Sequence, residues 1–300
     1  MNIIIGTRGS ALALAQVKIV EERIKVFDKN INIQKKIIKT KGDILLKKNL
    51  DSVVEKGFFV NEIQQELMNE NIDIAVHSLK DLPTHTNDKL QIIAFVKRGA
   101  ANDCLVINNN ISKLENISTI GTSSKRRQYQ IKKILPNAVI KSVRGNVDTR
   151  IKKLNENKFD ALILAKAGID RLKINDCKVK ILDENNMIPA VGQGTIAVEA
   201  KSTNPKINFI NKALNDRSTQ ICSQIERNFL RMLNAGCNAP VAAYCSIIQR
   251  KINFKAMIFS EKKKIHYSHF ISTDIKNYSD LAKKMFDYFN NSKRIEILDD

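Results

Sequence analysis

The sequence predicts an α/β protein of two similar lobes facing each other across a cleft, followed by a separate small α+β domain. Three observations carry this reading. Short apolar runs of strand character alternate with amphipathic helical stretches, the pattern of parallel α/β units. The same succession of glycine-marked turns occurs twice, in the same order. After about residue 215 the style changes, and one helix leads into three strand-like runs and a last helix.

Taken in order, residues 3–5 read as a buried strand, followed by Gly6-Thr7-Arg8-Gly9-Ser10 and an amphipathic helix from about Ala11 to Ile24. Thr119-Ile120, Gly121-Thr122-Ser123-Ser124 and a helix carrying Lys125, Arg126 and Arg127 repeat that sentence. A strand, a Gly-Thr-x-x-Ser turn and a helix start present N–H groups, hydroxyls and a positive dipole end to an anion. Ile37–Asp43 is answered by Ile140–Asn146, and Asn71–His77 by Lys158–Leu164. Three matches in order argue against chance. The first copy is longer, and its extra residues, about 43–59, read as a lid beside the cleft. Residues 187–200 read as a crossover from the second lobe back to the first. Lobe 1 thus comprises 1–97 and 195–214, lobe 2 98–194, and the small domain 215–300. In that domain strands are expected near 241–248, 252–259 and 265–272, and a helix over about 275–290.

A hydrophobic fraction of 43% with 27% charged residues is that of a soluble globular chain. No apolar run approaches a membrane span, and Met1–Gly6 has neither the basic start nor the apolar core of a signal peptide, so a cytoplasmic protein without membrane partners is expected. Five cysteines without a Cys-x-x-Cys pair, and four histidines without ligand spacing, predict no disulfide framework and no metal. The net charge of +19 invites a nucleic-acid partner. It is discounted because lysines are scattered over every segment and no Trp is present to stack on bases. Only 13 of the 50 basic residues are Arg, and Arg8, Arg126, Arg127, Arg144, Arg150 and Arg171 all fall at or beside glycine-marked turns. A guanidinium grips carboxylates or phosphates through a planar fork that lysine lacks.

Two further residues stand out. Asp81, in His77-Ser78-Leu79-Lys80-Asp81-Leu82-Pro83, follows a strand where α/β sheets place ligand groups. An aspartate before such a turn most often caps backbone N–H groups. Flanked by positive charge it would instead stay ionised and stabilise developing positive charge. Cys237 follows a helical pattern (Ile221, Ile225, Phe229, Leu230, Leu233) that stops at Gly236 and Pro240, with glycine as the left-handed cap. Its thiol is expected on a tight, accessible loop.

Across essentially its whole length the chain resembles the porphobilinogen deaminase (hydroxymethylbilane synthase) family. The matching stretches are Gly6–Ser10, Lys56–Val60, Asp73–Pro83, Gly121–Gln128, Val143–Arg150, Leu164–Leu172, Pro189–Gly194 and Gly236-Cys237. The resemblance implies two periplasmic-binding-protein-like lobes plus a third domain. It also implies a dipyrromethane cofactor held by a thioether to Cys237, onto which four porphobilinogens are joined with loss of ammonia before hydroxymethylbilane is hydrolysed off. Asp81 matches the catalytic aspartate, which stabilises the azafulvenium-like cation. Lys80, Thr122, Ser123, Ser124, Arg126 and Arg127, with Arg144 and Gly145 of the second turn, are implied to hold cofactor carboxylates. Arg8, Ser10, Arg144, Arg150, Arg171, Phe59 and Gln193 serve substrate or the growing chain, Phe59 as a lid aromatic and Gln193 by the hinge. The family is typically monomeric. The sequence departs from the family's Glu-Gly-Gly-Cys before Gln-x-Pro with Asn234-Ala235-Gly236-Cys237-Asn238-Ala239-Pro240, in which Cys237 and Pro240 keep their places. The rival reading is a non-catalytic two-lobed anion-binding protein, which leaves the third domain and Cys237 without a purpose.

Overall fold

The computed structural model describes residues 1–42, 60–84, 87–236, 239–260, 262–291 and 294–298. Its strands are, in chain order, β1 (Asn2–Thr7), β2 (Asn32–Ile37), β3 (Ile74–Ser78), β4 (Leu90–Val96), β5 (Asp103–Ile107), β6 (Thr119–Gly121) and β7 (Val139–Lys141). They continue with β8 (Ala161–Ala165), β9 (Lys178–Ile181), β10 (Ile196–Lys201), β11 (Val241–Ile248), β12 (Lys251–Ser260) and β13 (Ile265–Asp274). Two compact units result, Met1–Gly99 with Thr195–Ile221, and Ala100–Gly194 with Cys222–Asp300.

The first unit is built on a five-stranded sheet of order β2-β1-β3-β10-β4. Strand β1 runs parallel to β2 and β3, while β10 is antiparallel to β3 and β4. Ile3 and Ile5 of β1 are fully buried, as are Val17, Val20 and Ile24 of the helix Ala11–Phe27, so a period of two meets helical spacing on one sheet face. The second unit repeats this plan as β7-β6-β8-β5-β9, with β6 parallel to β7 and β8, and β5 antiparallel to β8 and β9. The sheets are therefore mixed rather than wholly parallel. In each, one strand from outside the repeated stretch enters beside the third repeated strand and runs against it.

The repeat extends to single atoms. Asp73 Oδ2 accepts from the Ile4 N–H at 2.8 Å, and Asp160 Oδ2 accepts from the Thr119 N–H at 2.8 Å. Each aspartate thus leads its own strand onto the first strand of its repeat. A Cβ on Gly6 would meet Ile72 at 2.2 Å, and one on Gly121 would meet Phe159 at 3.0 Å, so equivalent glycines admit equivalent side chains.

Within the second unit, β11-β12-β13 form an antiparallel sheet. Phe229 from the helix Arg217–Met232, Phe254 from β12 and Phe289 from the helix Leu281–Asn290 are all fully buried, with ring centroids 5.8 and 5.9 Å from Phe229. The last helix begins at Leu281 rather than near 275. The Asp274 carboxylate accepts from the Lys276 N–H and closes a separate 3₁₀ turn over Ile275–Asn277. At the end of Arg217–Met232 the left-handed residue is Asn234 (φ 50°), where the sequence pointed to Gly236. The Ala235 N–H reaches back to Leu230 O at 3.2 Å, the long bond of a Schellman cap, whose left-handed position asparagine also tolerates.

Candidate active site

In both units most of the sequence-predicted ligand residues that the structure describes follow the C-terminal ends of parallel strands, Gln193 being the exception. Arg8 and Ser10 follow β1, and Lys80 and Asp81 follow its neighbour β3. Thr122–Ser124 follow β6, Arg144 and Gly145 follow β7, and Arg171 follows β8. Open α/β sheets collect ligands at this edge, because the loops and helix starts there turn N–H groups outward.

In the first unit Ser10 caps the helix Ala11–Phe27, its hydroxyl accepting from the Ala13 N–H at 3.3 Å. After β3 the chain makes a single 3₁₀ turn, Leu79–Asp81. Leu79 and Leu82 are both 1% exposed and anchor it from below, and the Leu79 N–H donates to Thr195 O at 3.0 Å. Between these anchors Lys80 is half-buried and Asp81 lies exposed, so a rigid turn presents a carboxylate to solvent. Across β3 and β10 a buried pair, His77 Nε2 and Glu199 Oε2, lies 3.0 Å apart, and Gln64 Nε2 donates to the other Glu199 oxygen at 2.8 Å.

In the second unit the hydroxyl turn is tightly organised. Thr122 is buried and its Oγ1 accepts from the Ser124 N–H. The Ser123 hydroxyl donates to Val143 O at 2.8 Å and accepts from the Val143 N–H at 3.1 Å, tying the turn after β6 to the turn after β7. Ser124 makes no side-chain cap for the helix Lys125–Ile134, whose first turn carries three cations and no acid. Positive charge at a helix N-terminus is unfavourable by itself, and a bound anion relieves it.

Arg126 and Arg127 are 5% and 6% exposed and converge on Asp103 of β5, which is fully buried. Arg127 Nε donates to Asp103 Oδ1 at 2.9 Å, Nη1 donates to Ile163 O at 2.9 Å, and Nη2 lies 2.8 Å from Asp103 Oδ1. Arg126 Nη1 lies 2.7 Å from Asp103 Oδ2 and donates to Ile188 O at 2.7 Å. Gln193 Nε2 bridges Asp103 Oδ1 at 3.0 Å and Ala101 O at 2.7 Å. Burial by itself would raise the Asp103 carboxyl. The charges of Arg126 and Arg127, with hydrogen bonds from Arg126 and Gln193, outweigh it and hold the carboxyl well below the usual range. Gln193 is set between Gly192 (φ 71°) and Gly194 (φ 85°), a backbone path that side chains other than glycine rarely take. Arg171 donates to Gly194 O, and burial pushes its guanidinium down to about 10 against the opposing pull of Asp170. Arg150 folds back, its Nε donating to Gly145 O at 2.8 Å, while Arg144 is exposed.

Cys237, Phe59 and the lid expected at about 43–59 lie outside the described residues. Two residues that sequence reasoning passed over emerge as structural keys of the second unit. Asp103 is a lone acid leading an apolar strand, and an acid in such a place demands a cation. Glu226 is an acid on the buried stripe of the helix Arg217–Met232 and is itself fully buried. Its carboxylate accepts from the Gly192 N–H at 2.7 Å and the Cys245 N–H at 2.8 Å, joining the turn that holds Gln193 to β11.

The donor chemistry suits a polycarboxylate cofactor. Among the described residues, Asp103 is the one carboxylate within ion-pair distance of Arg126 or Arg127, so two buried guanidiniums against one anion leave one positive charge to balance. Residues 3–208 match the family model described as "Porphobilinogen deaminase, dipyromethane cofactor binding domain", and residues 220–287 match "Porphobilinogen deaminase, C-terminal domain". The chain belongs to the porphobilinogen deaminase family. It is 40% identical over 289 residues to the porphobilinogen deaminase of Clostridioides difficile, covering 95% of this chain and 96% of that one. Identity to the enzyme of that name from Ruminiclostridium cellulolyticum is 36% over 294 residues, covering 98% and 99%. Among solved structures, the substrate-binding domain of a putative molybdenum ABC transporter from Clostridium difficile gives a TM-score of 0.43 at 13% identity, covering 73% and 94%.

Proposed function

We infer that this chain is a hydroxymethylbilane synthase, a transferase of tetrapyrrole synthesis that joins four porphobilinogens head to tail, with loss of ammonia, and releases hydroxymethylbilane by hydrolysis. Dipyrromethane, when bound, supplies the primer on which the chain grows. The residue assignments are proposals. Cys237 carries the cofactor through a thioether. Arg126 and Arg127, with Lys80, Thr122, Ser123, Ser124, Arg144 and Gly145, meet its acetate and propionate groups. Arg8, Ser10, Arg144, Arg150, Arg171, Phe59 and Gln193 serve substrate and the elongating chain. Asp81, held on its short turn by Leu79 and Leu82, faces the positive charge that develops as ammonia departs and accepts from pyrrole N–H groups. A fixed, exposed carboxylate suits this task because it need not reorganise when the charge appears.

The observation that supports the site most directly is the buried arginine pair sharing one carboxylate, an arrangement that asks for a further anion. Residues 215–300 are proposed as a third domain, with Cys237 on its loop. The reading includes a monomer at work in the cytoplasm without nucleic-acid or membrane partners. Among the described residues no helix is long and apolar enough to cross a membrane.

Intact mass under denaturing conditions, with and without porphobilinogen, tests the reading. The expected result is an excess of two pyrrole units over the sequence mass, absent in Cys237→Ser, that grows when substrate is added. A bare mass that never grows would instead favour a non-catalytic anion-binding protein.

A further inference from the structure

We propose that Tyr129 is a positioning residue: it clasps the small domain to the helix Lys125–Ile134, so that a primer tethered to that domain and the turn that receives it keep one fixed spacing. The proposal rests on the cofactor reading above and concerns how the primer is delivered, not which groups bind it.

Tyr129 follows Arg126 by three residues on the same helix, about 4.5 Å along its axis. Its ring stacks on Phe259 of β12, with centroids 4.5 Å apart and planes inclined by 17°, and Phe259 is fully buried. Its hydroxyl lies 2.8 Å from His266 Nδ1 of β13, and Lys133, one turn further along, reaches His266 Nε2 at 2.8 Å. Residues 126, 129, 130 and 133 recur at three and four and so share one face of the helix. That face is divided along its length. Arg126 and Gln130 donate to Ile188 O, while Tyr129 and Lys133 hold the sheet of the small domain. Ile188 continues the same seam, packing with Ala242 of β11 and Met257 of β12, and Tyr129 lies against that cluster. Next to it Pro189 O accepts from the Ala243 N–H at 3.2 Å.

A helix is stiff over two or three turns, so a domain docked on its later turns stands at a set distance from its first. The elements that flank Cys237 in the chain both belong to the docked domain: Phe229 packs on Phe254 of β12, and β11 pairs along β12. Lobe 2 and this domain also fall in one compact unit. A primer joined to the domain therefore meets the turn Thr122–Ser124 and the helix start as an intramolecular partner. Its effective concentration there depends on how firmly domain and helix are joined. The apolar part of the seam is small, and the ring of Tyr129 supplies the helix's share of it.

Two measurements test this: porphobilinogen turnover per loaded molecule, with the loaded fraction counted by intact mass, and amide hydrogen exchange in rising urea. Tyr129→Ala should lose about tenfold or more in kcat at a little-changed KM, because the substrate groups are untouched while the primer is loosely held. Counting only loaded molecules removes any loss due to unfolded protein. Tyr129→Phe keeps the stack and should show only a small part of the loss. Lys255 Nζ of β12 donates to Asn185 Oδ1 across the same junction. Asn185→Asp, added to Tyr129→Ala, makes that contact ionic and should recover about two- to fivefold, a rescue that a role confined to the helix does not predict. In wild type, the amides of β8 in lobe 2 and of β12 in the small domain should open together as urea rises; in Tyr129→Ala, β12 should open first. Independent opening of β8 and β12 in wild type overturns the proposal while leaving the enzyme reading intact. So does wild-type kcat in Tyr129→Ala, an equal loss in Tyr129→Phe, or no recovery with Asn185→Asp. If Tyr129→Ala fails to fold, the wild-type exchange pattern decides alone. A wild-type chain that never gains mass defeats the cofactor reading and this proposal with it.

Discussion

Asp81 owes its proposed role to what lies beneath it. A carboxylate next to Lys80 on a surface turn is ordinary; one whose turn is fixed by two buried leucines and a backbone bond to Thr195 is held in place before any charge develops. Asp81→Ala should lower turnover by a factor on the order of 10² or more, as loss of a preorganised electrostatic partner does, while the protein still carries the cofactor mass. Steady-state rates and intact mass on one preparation check both halves, and wild-type turnover by the variant would remove Asp81 from catalysis. Asp103 belongs to the same scale. Sequence reasoning picked out arginines because they are scarce in a lysine-rich chain, yet it passed over the acid that orders two of them. Nothing local marks an aspartate as the partner of residues more than twenty positions away.

At the scale of elements, the turns after the strands carry the site, and their geometry can be tested directly. Gly145 has φ 116°, and a Cβ there would meet Thr149 at 3.0 Å. Gly145→Ala should therefore destabilise the chain by about 1–3 kcal/mol, read from the denaturant midpoint, and weaken the placement of Arg150, which bonds to that carbonyl. A second element-level contact links the helix carrying Arg126 and Arg127 to β13. Lys133 Nζ, which can only donate, lies 2.8 Å from His266 Nε2, so Nδ1 carries the proton and donates to the Tyr129 hydroxyl at 2.8 Å. Burial, and then the Lys133 charge, lower the His266 pKa. The unfolded chain thus takes up a proton at His266 first as pH falls. Stability from this contact is complete above the ordinary histidine pKa of about 6.5 and is lost as pH falls toward the lowered folded value. Urea midpoints between pH 7.5 and 5 should drop less for His266→Gln than for wild type; equal slopes would assign the loss to other groups.

For the molecule as a whole, a formal charge of +19 makes acid doubly costly, since every carboxylate protonated adds to self-repulsion. Asp103 is the sharpest contributor, because its folded-state pKa lies far below its unfolded one. Its stabilisation is fully present above the unfolded carboxylate pKa of about 4 and is lost as pH falls below it. Denaturation followed from pH 6 to 3 should show a steep fall that salt relieves in part, and Asp103→Asn should flatten the limb below about pH 4.

The sequence by itself determined the repeat, the α/β class, the three repeated strands of each lobe, the three strands of the small domain and the family's motifs, while β4, β5 and β9 passed unread. These rest on local signals: alternation of apolar residues, glycines at turns, and the order in which they recur. The topological match of β2-β1-β3 with β7-β6-β8, down to Asp73 and Asp160, was present in the paired stretches before any coordinates. Only the tertiary structure decided that β5 and β10 run against their neighbours, that Asn234 rather than Gly236 takes the left-handed cap, and that Asp103, Gln193 and Glu226 organise the second unit. The reason is one of range. Strand direction and buried ion pairs are settled by partners far along the chain, where burial makes an unpaired charge too costly to leave, and no short window of sequence contains both members of such a pair.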